Sequence, residues 1–264
     1  MRRHPAGDTV TVVAYWIFKV ILSPVFLLLW RVRVEGREHV PKNGPAILAA
    51  NHQSFSDSMF LPLVLRRKVT FVAKAEYFDS WRTAWFFRAA GQIPIRREGG
   101  TTSQRALDTA REVLRAGRLL GIYPEGTRAP DERLHRGHTG VVRLARTCGV
   151  PVIPVGISGT RAVQPPGRRL MRPFRTVTVR FGPPFDCRRP PGGADGRSAP
   201  GAAGSEPEPA HEAAELRALT DALMAEIARL SGQVYVDCYA TRKPAREGEE
   251  GVGPPASSVV AGPP

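Results

Sequence analysis

A histidine followed five residues later by an aspartate is the feature of this sequence whose chemistry is clearest. His52 and Asp57 lie in the segment 51–57, NHQSFSD, directly after the apolar run 46–50. Imidazole has an unperturbed pKa that suits proton transfer near neutrality. If a turn brings the Asp57 carboxylate to one ring nitrogen, that carboxylate fixes the tautomer and leaves the other nitrogen for a substrate. The spacing therefore predicts a general base and its orienting carboxylate. The alternative is a histidine held by local hydrogen bonds, with Asp57 as a helix cap.

A charged turn further along the chain, YPEGTR at 123–128, predicts a binding site for an anion. The guanidinium group of Arg128 is a planar fork that binds phosphate through two parallel hydrogen bonds. A carboxylate near a phosphate would repel it, so we expect Glu125 to orient Arg128 or the Gly126–Thr127 turn by hydrogen bonds. Gly126 is the residue type that a positive φ would require.

Four blocks in this order resemble the 1-acylglycerol-3-phosphate acyltransferase family of glycerolipid acyltransferases. The first block matches the family pattern NHxSxxD and the third is YPEGTR, while looser matches are GQIPIRR at 91–97 and VPVIPVG at 150–156. The resemblance covers about residues 31–185. One departure is visible, because residues 137–140 read GHTG where the family often has Lys-x-Gly. The role of His138 is therefore open.

The resemblance implies a reaction as well as a family. The acceptor would be 1-acyl-sn-glycerol-3-phosphate, the donor acyl-CoA or acyl-carrier protein, and the product phosphatidic acid. His52, oriented by Asp57, would take the proton of the free hydroxyl while its oxygen attacks the thioester. Arg128 would hold the phosphate, and Arg96 or Arg97 would add a second contact, although an arginine beside an apolar strand is equally a snorkelling surface residue. No metal or prosthetic group is implied.

Two other functions remain open at this stage. The acceptor can be another lysophospholipid or a lipid-linked alcohol, and the chain can be a membrane lipid-binding protein without turnover. The serines at 54, 56 and 58 suggest a nucleophile, but local hydrogen bonds are the better interpretation. Aromatic side chains could line an acyl groove, with core packing as the default: Phe55, Phe60, Trp81, Trp85, Phe86 and Phe87.

Composition and the missing motifs exclude several other classes. The chain has 38 basic and 24 acidic residues and a net charge of +14, but its arginines are spread out rather than clustered on one helix, so no nucleic-acid partner is expected. Three scattered cysteines indicate neither a disulfide framework nor a zinc site. The phosphate-binding loop GxxxxGK[ST], the dinucleotide motif GxGxxG and the hydrolase elbow GxSxG do not occur.

Residues 10–30 are overwhelmingly apolar and predict a membrane-associated segment on the cytosolic face of the cytoplasmic membrane. Lys19 near its middle and Pro24 argue against a simple crossing, so a re-entrant or interfacial arrangement is as good an interpretation as one span. Arginines on both sides and two tryptophans suit anchoring at lipid headgroups. A buried core helix is the remaining alternative. The segment lacks the cleavage site of a signal peptide.

Apolar runs alternating with amphipathic stretches predict an α/β fold, in which helices flank a mostly parallel central sheet. We expect strands at 46–50, 69–73, 92–95, 119–123, 152–157 and 176–181, and helices at 55–65, 81–90, 103–116, 139–148 and 211–233. The predicted organisation is a membrane-associated segment (1–30), an acyltransferase domain (31–189), a flexible linker (190–210), an amphipathic helix with a short extension (211–239) and a disordered tail (240–264). Ligand sites of such sheets lie beyond the carboxyl ends of the strands, where His52, Arg96 and Glu125 are expected to meet.

Overall fold

The computed structural model describes residues 16, 19–21, 23–74, 92–95, 102–168, 170–187 and 209–240. A seven-stranded sheet with the order β1-β8-β7-β2-β5-β3-β4 forms its centre. Only β7 and β8 pair antiparallel among these strands, so the predicted α/β fold with a mostly parallel sheet is confirmed. The strands are β1 (Arg31–Glu35), β2 (Ala46–Ala50), β3 (Val69–Lys74), β4 (Ile93–Ile95), β5 (Leu119–Ile122), β7 (Val152–Ser158) and β8 (Thr176–Phe181). A separate parallel pair joins β6 (Leu134–His135) to β9 (Tyr235–Val236).

Strand β2 lies at the middle of the sheet, between β5 and β7, and every one of its residues is buried. Its side chains alternate between two apolar cores: Ala46, Leu48 and Ala50 face one, and Ile47 and Ala49 face the other. A strand with no solvent-facing side needs an unbroken apolar sequence, which explains the run that precedes His52. The sheet is therefore covered by structure on both faces.

Helices cover both faces of the sheet. They are α1 (Asp57–Val64), α2 (Thr102–Arg115), α3 (Gly140–Cys148), the short α4 (Thr160–Val163) and α5 (Pro209–Ser231). Helix α1 contributes Phe60 and Leu61 to one core, whereas α2, α3 and α5 fill the other. The strand and helix expectations hold to within two residues, except for the predicted helix at 81–90, which lies outside the described residues.

The predicted amphipathic helix, α5, packs directly against β7. A Cβ atom added to Gly156 of β7 would lie 2.3 Å from the carbonyl carbon of Leu230, so glycine is required for this close approach. The helix buries one apolar stripe at three- and four-residue spacing: Leu216, Leu219, Leu223, Ile227 and Leu230. The predicted linker and tail around this helix lie almost entirely outside the described residues, and the domain boundaries stay predictions.

The N-terminal segment is helical at 23–29 and packs on the core through one side. The rings of Phe26 and Trp30 lie 5.3 and 5.8 Å from the ring of Phe60. Lys19 does not sit free in an apolar face, because its ammonium group donates to the carbonyl oxygens of Pro62 and Leu65 at the end of α1. Burial, followed by the charge of Arg37, lowers the pKa of Lys19 to about 8. The lysine thus ties this segment to α1.

The other side of the N-terminal segment is apolar and faces solvent. Leu28 is 81% exposed, and four further apolar side chains lie exposed near it: Val20, Ile21, Val25 and Leu27. Among the described residues, no helix combines the length and the apolar character needed to cross a bilayer. Membrane association of the segment therefore remains a prediction.

Candidate active site

His52 follows β2 directly, and Asp57 begins α1 one turn later. The ring atom Nδ1 of His52 lies 3.0 Å from Asp57 Oδ2, the contact that the spacing predicted. The backbone N–H groups of Gln53 and Ser54 donate to the same oxygen at 2.8 Å each. Because Asp57 is fully buried and held by the backbone, it fixes the histidine tautomer with the proton on Nδ1. Nε2 is left as the ring nitrogen that can accept a proton from a substrate.

Tyr123, at the end of β5, holds the histidine ring from its face. The two rings are stacked with centroids 3.9 Å apart and an interplanar angle of 10°. The phenolic oxygen of Tyr123 lies 2.9 Å from Ser58 Oγ, and burial raises the pKa of this phenol well above its usual range. The imidazole plane is thus fixed by stacking as well as by Asp57. Sequence reasoning missed this role of Tyr123, although its place at the carboxyl end of a predicted strand was a usable signal.

Glu125 acts on the backbone of His52 rather than on Arg128. Its two carboxylate oxygens accept hydrogen bonds from the backbone N–H of His52 at 2.9 Å and of His135 at 3.0 Å. On the other side of the same residue, the carbonyl of His52 accepts from the N–H of Ala129 at 2.7 Å. The expectation that Glu125 would orient Arg128 or its turn is therefore corrected. A buried carboxylate between two backbone donors joins the two motifs into one unit.

Burial raises the pKa of Glu125 to about 7, and the backbone hydrogen bonds from His135 and His52 partly oppose that shift. The side chain is only 2% exposed. Because Glu125 bonds the backbone of His52 and not its imidazole, it is a positioning residue.

The turn after Glu125 has the geometry that the sequence suggested. Gly126 has φ of 70°, and its N–H donates to the carbonyl of Tyr123 at 3.0 Å. A Cβ atom at Gly126 would lie 3.1 Å from the imidazole of His138. Both the positive φ and this close contact therefore favour glycine at the position. Thr127 is half-buried and Arg128 is exposed beyond the turn. Arg128 therefore has access to a charged group arriving from solvent.

His138, whose role the sequence left open, lies beside this turn. Its N–H donates to the carbonyl of Pro124 at 2.9 Å, and its ring stacks on Tyr239 with centroids 4.7 Å apart. Arg136 also lies over Tyr239, at 5.4 Å from the ring centroid. The exposed His138 imidazole thus belongs to the rim of the site.

The remaining candidates are two arginines, one aromatic residue and three serines. Arg96 and Arg97 lie outside the described residues, although β4 ends at Ile95 on the same edge of the sheet as β2 and β5. Phe60 is fully buried in the core. The three serines of the first block all make hydrogen bonds, but only the bond between Ser56 Oγ and Ser54 Oγ is local as expected. Ser54 Oγ also donates to the distant Gln164 carbonyl, and Ser58 Oγ bonds the hydroxyl of Tyr123.

Asn51 makes a contribution that sequence reasoning did not anticipate. Its side-chain amide donates to the carbonyl of Ile157 at 2.8 Å and accepts from the N–H of the same residue at 2.7 Å. It also donates to Gln233 Oε1, which follows α5. The fully engaged amide binds the end of β2 to β7 and to the C-terminal part of the fold. In the part of the chain that the structure describes, no group of three His, Cys, Asp or Glu residues is placed to hold a metal ion.

Comparison with known proteins supports this geometry. Residues 31–158 match the family model described as Acyltransferase. A chloroplastic 1-acyl-sn-glycerol-3-phosphate acyltransferase of Arabidopsis thaliana is 30% identical over 58% of this chain and 43% of its own length. A lyso-ornithine lipid O-acyltransferase of Pseudomonas aeruginosa is 37% identical over 56% of this chain and 53% of its own length.

A solved structure gives the same result for the fold. The crystal structure of the 1-acyl-sn-glycerophosphate acyltransferase PlsC from Thermotoga maritima superposes with a TM-score of 0.55 at 27% identity, covering 76% of this chain and 71% of that one. The chain spans less than half the length of the first plant and algal relatives it matches. The resemblance seen in the four sequence blocks is confirmed: residues 31–158 match the Acyltransferase family model, and the chain is similar in sequence and fold to 1-acyl-sn-glycerol-3-phosphate acyltransferases.

Proposed function

We propose that the protein transfers a fatty acyl group from an acyl thioester to the sn-2 hydroxyl of 1-acyl-sn-glycerol-3-phosphate, giving phosphatidic acid. The observation that carries the proposal is the His52–Asp57 pair, with Nδ1 bound to a buried carboxylate and Nε2 left for the substrate. The relatives named for this activity support the choice of acceptor.

The reaction proceeds by direct attack of the acceptor on the donor. The hydroxyl oxygen forms a bond to the thioester carbonyl carbon while His52 Nε2 takes the hydroxyl proton. Collapse of the tetrahedral intermediate breaks the carbon–sulfur bond, and the imidazolium returns the proton to the leaving thiolate. Asp57 stabilises the imidazolium that exists between these two transfers. No covalent enzyme intermediate is needed.

The phosphate of the acceptor binds at the turn after β5. Arg128 provides an exposed guanidinium, and the Gly126–Thr127 turn shapes its approach. Arg96 and Arg97 remain candidates for a second contact, since they follow β4 at the same edge of the sheet. Glu125 contributes by holding the backbone of His52 in place.

The donor is acyl-CoA or acyl-carrier protein, and the reaction takes place at the cytosolic face of the cytoplasmic membrane. The exposed apolar side of the N-terminal segment supports membrane association. Removal of residues 1–30 should weaken binding to bilayers, and high salt should not detach the intact chain, because apolar insertion is insensitive to ionic screening.

Acylation of a different lysolipid is the second candidate. The lyso-ornithine lipid O-acyltransferase of Pseudomonas aeruginosa is 37% identical to this chain, above the 30% of the plant enzyme. His138 lies beside the Gly126 turn, at the place where the sequence departs from the Lys-x-Gly that the family often has. An acceptor that carries ornithine instead of a phosphate is therefore a specific alternative.

Thiol release from acyl-CoA, measured with purified full-length protein and several acceptors, tests both candidates. Lysophosphatidic acid should stimulate release, and Arg128→Ala should chiefly raise its KM because the phosphate itself does not react. Arg128→Lys should raise the KM for lysophosphatidic acid less than Arg128→Ala does but should not restore the wild-type value, since lysine lacks the bidentate fork. Arg115→Ala at the opposite edge of the sheet is the matched control.

The acceptor comparison decides which candidate holds. Arg128→Ala should penalise lysophosphatidic acid far more than monoacylglycerol, which has no phosphate. Equal penalties in folded protein would contradict a phosphate-binding role for Arg128. Stimulation by lyso-ornithine lipid with none by lysophosphatidic acid would replace the first candidate with the second.

A further inference from the structure

The segment 165–175, PPGRRLMRPFR, joins α4 to β8 and has an unusual combination of side chains. It contains four arginines and no acidic residue. Two of its large apolar side chains point into solvent: Leu170 is 84% exposed and Phe174 is 75% exposed. Arg168, Arg172 and Arg175 are also exposed. We refer to this segment as the arginine loop.

The backbone of the arginine loop is fixed at several points. The N–H of Arg172 donates to the carbonyl of Val163 at 2.7 Å, and the carbonyl of Arg172 accepts from the indole N–H of Trp30, also at 2.7 Å. The N–H of Phe174 donates to the carbonyl of Leu29 at 2.6 Å. The exposed apolar side chains therefore belong to an anchored loop that is joined to the N-terminal segment.

Phe174 is the one non-glycine residue of the described chain with a positive φ, at 59°. This left-handed conformation is unfavourable for a residue with a large side chain. A strained aromatic residue usually gains compensation by burying its ring, yet most of the Phe174 ring stays in solvent. Such strain is typical of positions held for a functional contact.

Strand register places the arginine loop at the edge of the sheet where the candidate active site lies. Strand β8 runs antiparallel to β7, so its first residue, Thr176, lies at the carboxyl end of β7. Strand β1 begins beside it, with Arg31 paired to Thr176. Since β2 runs parallel to β7, His52 opens on this same edge. The residue directly before the loop also contacts the site, because Ser54 Oγ donates to the carbonyl of Gln164 at 3.0 Å.

We propose that the arginine loop is a second membrane contact, in which Leu170 and Phe174 enter the headgroup region of an anionic bilayer and the exposed arginines bind lipid phosphates. The loop provides a second membrane contact beside the apolar side of the N-terminal segment. If that segment were the sole contact, the protein could rotate about the axis of one helix. Two contacts at one edge of the sheet turn the His52 site toward the lipid surface. Charge supports this choice of partner, since the loop is basic and lacks acidic residues.

This inference rests on the proposed membrane association but not on the acyl transfer chemistry. Binding of the full-length chain to vesicles of phosphatidylcholine with phosphatidylglycerol, measured by flotation, tests it. The double variant Leu170→Ser/Phe174→Ser should bind roughly 30-fold more weakly, for partial insertion of two large apolar side chains. Val234→Ser, which removes an apolar side chain 70% exposed outside the loop, is the control and should change little.

The arginines predict a second difference. Arg172→Gln/Arg175→Gln should weaken binding about 10-fold on anionic vesicles and have little effect on pure phosphatidylcholine. Arg115→Gln/Arg118→Gln carries the same loss of charge at the opposite edge of the sheet and should have a much smaller effect. Equal effects of the two pairs would mean that only net charge matters, and would overturn the proposal.

Phe174→Gly separates a membrane role from a structural one. Glycine accepts the positive φ, so Tm should rise by about 2 °C while vesicle binding weakens. A lower Tm would show that the ring stabilises the fold, and unchanged vesicle binding would show that it does not touch lipid; either result overturns the proposal. Thiol release by the wild-type chain is an independent measurement, whose absence would remove the proposed reaction and leave the vesicle comparison intact.

Discussion

Glu125→Gln is the substitution that tests most directly how the two motifs are joined. In the wild-type protein both carboxylate oxygens accept a backbone N–H, one from His52 and one from His135. A glutamine has one acceptor oxygen, and its NH₂ group would face the second N–H donor. One buried backbone hydrogen bond is therefore lost, at a cost of about 1–3 kcal/mol in the free energy of unfolding.

The pH dependence of that cost follows from the raised pKa. Burial moves the pKa of Glu125 from 4.5 to about 7 in the folded protein. The stabilisation that Glu125 provides is complete at pH values below its pKa in the unfolded chain, 4.5, and is lost as pH rises. Between pH 4.5 and about 7 the unfolded chain releases a proton that the folded chain keeps, which favours unfolding. The loss amounts to about 3 kcal/mol, and the glutamine variant does not share it. The free energy of unfolding of the wild type, relative to that of the variant, should fall by that amount across this range, so that the variant is at least as stable as the wild type near pH 7.

Urea denaturation of both proteins at several pH values measures this difference. Glu112→Gln, at an exposed position of α2, is the control. Turnover should also fall in Glu125→Gln by about 10²-fold, because a displacement of His52 on the order of 1 Å misaligns the base. A wild-type advantage that stays constant with pH would refute the reasoning, since it would mean that Glu125 ionises in the folded protein as it does in water.

Four further substitutions have expected outcomes. His52→Ala should lower turnover by on the order of 10² to 10⁴ without loss of folding or membrane binding, and near-normal turnover would contradict its role as the base. Asp57→Asn should impair turnover too, because an amide does not stabilise the imidazolium as a carboxylate does. Asn51→Ala should lower the free energy of unfolding by about 2–4 kcal/mol, since the buried N–H of Ile157 loses its partner; urea denaturation checks this. Lys19→Met should destabilise the end of α1, with local hydrogen exchange there as the measurement.

The central strands could be predicted because a strand buried on both faces needs an uninterrupted apolar sequence. The run 46–50 and the segments that became β5 and β7 have this property. Strand β1 was missed because its sequence, RVRVE, alternates and follows the apolar segment so closely that it looked like a charged membrane flank. It lies at the edge of the sheet, where only one neighbour covers it. Edge strands leave a weaker trace in sequence for this reason.

The site was predicted where the chemistry is local and missed where it is not. The His52–Asp57 contact spans five residues and could be inferred from spacing. The bonds that fix the backbone of His52 come from Glu125 and Ala129, far along the chain. Glu125 was expected to act on its own turn, because a sequence shows only which residues are neighbours along the chain. It does not show that strand pairing brings Glu125 next to His52.

Helix α5 has a consequence for how the chain can be divided. The helix packs on β7, and Gln233 just beyond it binds Asn51 beside the candidate base. Cleavage between residues 190 and 208 would therefore leave two fragments with complementary apolar surfaces. The fragments should reassemble when they are expressed separately. The N-terminal fragment alone should not hold Asn51 in place, because Gln233 lies in the other fragment. The protein is thus a natural candidate for a split enzyme, in which recovery of thiol release reports the association of its two parts.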